Sequence, residues 1–158
     1  MALRIETIQF EQLTQLLNLL REFAQFENLQ NEFLVDEEKL NLVLFGEEKF
    51  VECLVGFADE EMVAYAIFFP IFRTFRGDRS MYLEDLYVKE TMRGRGFGLA
   101  MLKAVARQAR ERGFSRMDWQ ALNWNIPAID FYKKLGAESN EEQMDFRLIG
   151  AAFEKLAS

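Results

Sequence analysis

Tyr82-Leu83-Glu84-Asp85-Leu86-Tyr87-Val88, followed after Lys89-Glu90-Thr91-Met92 by Arg93-Gly94-Arg95-Gly96-Phe97-Gly98, is the stretch on which the fold turns. The first part is rich in strand formers and predicts a long strand over 81–88. Downstream, Leu99, Leu102, Val105, Ala106 and Ala109 share one helical face, which predicts a helix over 99–112 with Gly113 as its stop. A glycine-rich, basic loop thus joins a strand to a helix. Glycines let the backbone turn tightly and approach a ligand closely. The first amides of a helix lack internal acceptors and donate readily to an anion. Arg93 and Arg95 add positive charge. The spacing is not Gly-x-x-x-x-Gly-Lys-Ser/Thr, which argues against a P-loop nucleotidase. It is also not the Gly-x-Gly-x-x-Gly of a dinucleotide site on a first strand. Taken alone, the glycines fit a phosphate cradle and a solvated strand–helix connection equally well.

Upstream of this stretch, Leu3 to Thr7 alternate as a short strand. Leu13, Leu16, Leu17, Leu20 and Phe23 recur at helical spacing and predict a helix over 10–26. Asp36-Glu37-Glu38 places negative charge at the start of a second helix ending near Phe45-Gly46. The apolar runs 50–58 and 62–70 flank Asp59-Glu60-Glu61 and read as a hairpin, with 73–80 a polar, basic loop. Downstream, 116–121 is expected as a strand and 127–135 as a helix opened by Pro127 and closed by Gly136. A final strand over 145–149 and a short helix over 151–156 complete the chain. No repeat or linker interrupts it, so 1–158 is expected to be one α/β domain with a mixed sheet.

Composition narrows the chemistry. The chain has 158 residues, half of them hydrophobic, and a formal charge of −7. That apolar fraction excludes an intrinsically disordered chain. The acidic balance disfavours nucleic acid as a partner, because phosphate backbones need clustered cations. No apolar run approaches a membrane span, and the N-terminus lacks a leader-like stretch, so a cytoplasmic protein without a membrane partner is expected. There are no histidines, so none serves as base, proton shuttle or metal ligand. Cys53 is the one cysteine and sits in the apolar run Val51-Glu52-Cys53-Leu54-Val55, where it is expected as a buried core thiol. Proton transfer therefore falls to carboxylates, tyrosine, the lone thiol, an amine or water. The run Ile67-Phe68-Phe69-Pro70-Ile71-Phe72 is expected in the core or at a subunit interface.

Arg93-x-x-Gly96-x-Gly98 after a long strand resembles the coenzyme A pyrophosphate loop of the GNAT superfamily of N-acetyltransferases. The expected order β-α-α-β-β-β-α-β-α-β matches that fold. Asn125-x-Pro127-Ala128, followed by Phe131-Tyr132-Lys133-Lys134-Leu135-Gly136-Ala137, is similar to its second signature. The strand 82–88 and Phe26-Glu27 look like the spermidine/spermine (diamine) acetyltransferase subgroup. Phe75-Arg76-Gly77 and Phe146-Arg147-Leu148-Ile149-Gly150 look like bacterial relatives, some of which prefer thialysine-like amino acids. The resemblance covers nearly the whole chain. Two departures stand out. Lys89-Glu90-Thr91-Met92 lacks the aromatic residue common before the loop arginine. Residues 73–80 lack the tryptophan of some polyamine enzymes, which bears on specificity rather than on the reaction.

The resemblance implies a largely antiparallel mixed sheet flanked by helices, the GNAT acyl-CoA N-acyltransferase fold. It implies acetyl transfer from acetyl-CoA, with no metal, to a primary amine of a small cationic acceptor. It also implies a homodimer. The backbone of Leu86, Tyr87 and Val88 would pair with the pantetheine arm, and Arg93, Gly94, Arg95, Gly96, Phe97, Gly98 and Leu99 would hold the pyrophosphate. Asn125, Ile126, Pro127 and Ala128 would form a further coenzyme contact. Phe26, Glu27, Asp85, Asp118, Trp119 and Gln120 match positions on the amine side. Glu84 matches the base or substrate anchor, and Tyr132 the acid that protonates the departing thiolate. Consecutive strand residues point to opposite faces, so Glu84 and Asp85 share a side only if a bulge intervenes. The alternatives are a protein or peptide acetyltransferase of the same fold and a non-catalytic coenzyme A-binding module.

Overall fold

The structure is a computed structural model and describes residues 2–158. The chain divides into two compact units, Met1–Gln120 and Ala121–Ser158. The first contains a five-stranded sheet in the order β1 (Leu3–Thr7), β2 (Glu52–Ala58), β3 (Glu61–Arg73), β4 (Asp78–Val88) and β5 (Met117–Trp119). The first four strands are antiparallel neighbours, and β5 joins β4 in parallel.

The central strands are covered on both faces, which is why β3 is buried without a break from Met62 to Phe68. Against one face lie α1 (Leu13–Phe26) and α2 (Glu37–Phe45). Leu13, Leu16, Leu19 and Leu20 of α1 pack there with Cys53, Val55, Tyr65, Ile67 and Tyr87. A 3-10 turn, Phe10–Gln12, leads into α1, where the Gln12 side chain accepts from the Gln9 amide at 2.8 Å. Asp36 caps α2 by accepting from the Lys39 amide at 2.8 Å, so the acidic start read from the sequence is a true N-terminus. On the other face lies α3 (Phe97–Glu111). Gly56 lets it approach: a Cβ there would come within 3.1 Å of the Met101 sulfur.

Several expected boundaries move. The 73–80 loop shrinks to a turn at 74–77, because β3 and β4 keep pairing out to Arg73 and Asp78. Of the aromatic run, Ile67 and Phe68 are core, whereas Phe72 is 64% exposed. The helix expected from 99 begins two residues earlier, at Phe97, so Gly98 belongs to its first turn. The strand expected over 116–121 is only Met117–Trp119.

The C-terminal unit contains α4 (Ile126–Lys134) and α5 (Gly150–Ala157). The strand expected over 145–149 is absent. A strand exists only as part of a ladder, and this unit contains no other strand to pair with it. Its alternating Met144 and Phe146 are exposed. No helix among the described residues is long and apolar enough to cross a membrane.

Candidate active site

The register of β3 and β4 slips between Ile67 and Phe68. Ile67 faces Asp85 and Phe68 faces Leu83, so Glu84 is left without a partner of its own. This bulge breaks the two-residue alternation, and the expectation of opposite faces for Glu84 and Asp85 no longer holds. Ile67 belongs to the core under α1 and α2. Its cross-strand partner Asp85 therefore turns to that side. Glu84 is exposed beside it.

A third carboxylate comes from the end of α1, where Glu27 is the C-terminal cap. Burial first, then the negative charges of Glu84 and Glu27, push the Asp85 carboxyl up to about 7. Burial also raises Glu27. Three acidic groups within electrostatic reach, one of them poised near neutrality, have the chemistry to attract a cation and to take up a proton.

The wall beside these groups is aromatic. Phe23 stacks on Tyr87 at 5.1 Å between centroids. The Arg93 guanidinium lies 4.3 Å from the Phe26 ring and 5.6 Å from the Tyr87 ring. Its Nε also donates to the Val88 carbonyl at 3.1 Å. Arg93 was expected as a pyrophosphate ligand. Here it is stacked and hydrogen-bonded, tying the loop to the end of α1, with its charge at the loop entrance.

Gly94 and Gly96 both have left-handed φ, +75° and +79°, which favours glycine. Gly96 is the N-cap of α3, and its carbonyl accepts the first helical bond, from the Ala100 amide at 3.0 Å. The amides just inside the helix, at Phe97, Gly98 and Leu99, thus lack helical acceptors. Nothing lies within 4 Å of where a Cβ would stand on Gly94 or Gly96. An open, donor-rich loop of this kind fits a diphosphate.

The edge of β4 facing β5 is paired only at Met81, Tyr82 and Leu83. Beyond Leu83 the two strands part, and β4 continues to Val88 with no strand on that edge among the described residues. Leu86, Tyr87 and Val88 can therefore receive an extended ligand by strand addition.

Asp118, expected on the amine side, is committed elsewhere. It pairs with Arg73 at 2.7 Å and Arg116 at 2.6 Å, and the Ser80 hydroxyl donates to it. Partial burial alone would raise this carboxyl; hydrogen bonds from Arg116, Arg73 and Ser80 outweigh it and hold the group well below the usual range. It ties β5 to the β3–β4 hairpin. Asp118→Asn should therefore cost about 1–3 kcal/mol of stability, seen as a lower melting temperature, with the amine KM unchanged. Trp119 pairs with Leu83 across the β4–β5 ladder, and Gln120 is an exposed residue after β5.

In the C-terminal unit the second motif has a local structural meaning. The Asn125 side chain caps α4 by accepting from the Ala128 amide at 3.4 Å, with Ile126 and Pro127 in its first turn. Gly136, at φ +88°, ends the helix, and the Ala137 amide returns to the Tyr132 carbonyl at 3.1 Å. Tyr132 is thereby held in the last turn, half-buried, with its ring 5.3 Å from Phe131.

One neighbour of Asp85 was not anticipated. The Tyr65 hydroxyl is buried and has no hydrogen-bond partner among the described residues. In the sequence it is a polar-tipped aromatic in an apolar strand, two residues before Ile67 and so on the same face. Cys53 is buried as expected, and burial raises its thiol far above the ordinary range. A separate open cleft of about 640 Å³ lies between α1 and the β2–β3 turn. There Lys89 is already paired with Glu61 at 2.6 Å and Glu22 at 3.6 Å.

Comparison with known proteins identifies the family and the fold. The acetyltransferase (GNAT) family matches residues 13–137. A thialysine N-epsilon-acetyltransferase from Sus scrofa is 39% identical over 153 residues, spanning 90% of this chain and 89% of the relative. The L-ornithine N5-acetyltransferase NATA1 from Arabidopsis thaliana is 36% identical over 98 residues, 62% of this chain and 43% of that one. Among solved structures, the V. cholerae integron cassette protein VCH_CASS6 superposes with a TM-score of 0.83 at 26% identity, covering 99% of this chain and 98% of its own.

Proposed function

This chain belongs to the GNAT acetyltransferase family, and we propose that it acetylates the terminal primary amine of a small cation, a thialysine- or ornithine-like amino acid or a diamine, by direct attack on acetyl-CoA. It is an acetyl-CoA-dependent N-acetyltransferase. The observation that carries the choice of acceptor is the group of three carboxylates, Glu27, Glu84 and Asp85, beside the unpaired end of β4. The named activities of the relatives on thialysine and ornithine support it. Because the family match crosses the boundary between the two units, we read 1–158 as one catalytic domain.

An alkylammonium has a pKa near ~10.4 and must lose a proton before it can attack. Exposed Glu84 and half-buried Glu27 attract the cation. Asp85, raised to about 7, is a better-matched proton acceptor than an ordinary carboxylate. On the coenzyme side, the amides of Phe97, Gly98 and Leu99 would hold the diphosphate. The free edge at Leu86, Tyr87 and Val88 would align the pantetheine arm, and an amide there would polarise the thioester oxygen. Arg95 and the Asn125–Ala128 turn would complete the coenzyme contacts.

The departing sulfur needs a proton, and we assign its supply to Tyr132, whose phenolic hydroxyl can donate one. Tyr132→Phe should lower kcat about 100-fold while leaving the calorimetric Kd for coenzyme A unchanged. We also propose a cytoplasmic homodimer. The exposed Phe72 and Phe75 at the β3–β4 turn are the surface that favours self-association.

Thiol release from acetyl-CoA, followed with thialysine, ornithine, lysine, spermidine and an unstructured peptide in turn, tests the reading. Turnover of the small amines supports it. Turnover of the peptide alone would identify a peptide acetyltransferase, and coenzyme binding without any release would identify a non-catalytic module.

A further inference from the structure

Tyr65 is fully buried in the middle of β3, yet its hydroxyl has no hydrogen-bond partner among the described residues. An unmet buried hydroxyl costs about 1–3 kcal/mol, and phenylalanine would fill nearly the same volume without that cost. The register shows what the hydroxyl can reach. Tyr65 faces Tyr87 across the ladder, and Asp85 lies two residues before Tyr87 on the same face. Diagonal positions of this kind are within reach of an aromatic side chain. Phe23 of α1 lies over Tyr65 at 6.5 Å between centroids and closes the site from above.

We propose that Tyr65 is a positioning residue for the acetyl transfer: its hydroxyl donates to the Asp85 carboxylate, directly or through one water, when Asp85 is ionised, and so sets the pH at which Asp85 accepts the amine's proton. The proposal rests on the reading of Asp85 as proton acceptor given above. The groups that act on Asp85 come from every element packed against it. Glu84 is its neighbour on β4, Glu27 caps α1, and Tyr65 and Cys53 lie on β3 and β2. Glu84 and Glu27 oppose ionisation by like charge. The Cys53 thiol, 3.5 Å from the Leu54 carbonyl, is already used. Burial, then the charge of Asp85, holds Tyr65 well above its ordinary range, so its proton stays in place to be donated. Tyr65 is the neutral donor of the group, and it acts through Asp85 rather than on the substrate.

The test compares wild type with Tyr65→Phe by carboxyl-carbon NMR titration of Asp85 and by the pH profile of kcat/KM for the amine. Loss of a hydrogen bond to the charged form should move the Asp85 titration, and with it the acid limb of the rate profile, up by about one pH unit. At low pH, where Asp85 is protonated and the hydroxyl is not needed, the melting temperature should be equal to or above that of wild type; at high pH it should fall below it. Cys53→Ala, on the same face, should leave the Asp85 titration unmoved, because burial keeps that thiol neutral through the range in which Asp85 ionises. An Asp85 titration unchanged by Tyr65→Phe overturns the proposal, whatever the rates do. If wild type acetylates no amine, the functional reading fails, while the NMR titration still decides the coupling of Tyr65 to Asp85.

Discussion

Asp85→Asn is expected to lower kcat/KM for the amine by about 100- to 10,000-fold, the usual range for losing a general base. Asparagine keeps the shape and cannot take a proton. The same change should stabilise the fold at high pH. In the native state the Asp85 carboxyl is raised from the ordinary aspartate range to about 7. A carboxyl raised by folding favours its neutral form. The native state therefore carries no penalty below about pH 4, and stability is lost as pH rises through about 7. The full penalty corresponds to at most about 4 kcal/mol above pH 8. Thermal melts should show Asp85→Asn several degrees more stable than wild type at pH 8, with the difference closing near pH 4. A variant that loses activity and gains stability marks a group held in a costly state for its chemistry. Equal melting temperatures at both pH values would show that Asp85 ionises without a burial penalty.

Gly96→Val is expected to weaken coenzyme A binding by 100-fold or more. Gly96 has φ +79° and caps α3. A β-branched side chain is a genuine outlier there, so the backbone must rotate away. The rotation misdirects the first amides of the helix, and losing even two charge-assisted hydrogen bonds is enough for a change of this size. Gly77→Val is the matched control. It sits in the β3–β4 turn at φ +67°, also with open space around it. It carries similar strain but should leave the coenzyme Kd, measured by calorimetry, within a few-fold of wild type. Equal losses in both variants would assign the effect to general destabilisation rather than to the loop.

The strand, glycine loop and helix of residues 81–111 were legible because their chemistry is local. Spacing of Leu102, Val105 and Ala109 sets the helix, and Gly94 and Gly96 supply the left-handed φ that the turn needs. The bulge at Glu84 was not legible. It arises from a mismatch between two strands, and no glycine or proline stands at the slip itself, the nearest being Pro70 further along β3. That single slip decides that Asp85 faces the side where Glu27 also acts. The resemblance put Asp118 on the amine side; that it is held by Arg73 and Ser80 could not be read, because those partners lie far away in sequence. The strand expected at 145–149 has the right alternation and lacks a partner, which no local pattern reports. Tyr65 was hidden among apolar neighbours because aromatic residues in a buried strand are ordinarily core.

The pH profile of kcat/KM for a small amine, at saturating acetyl-CoA, tests the central claim most directly. If buried Asp85 accepts the amine's proton, wild type shows an acid limb near neutrality, and Asp85→Asn loses that limb along with most of its rate. An acid limb well below neutrality, or one that survives unchanged in Asp85→Asn, would contradict the assignment.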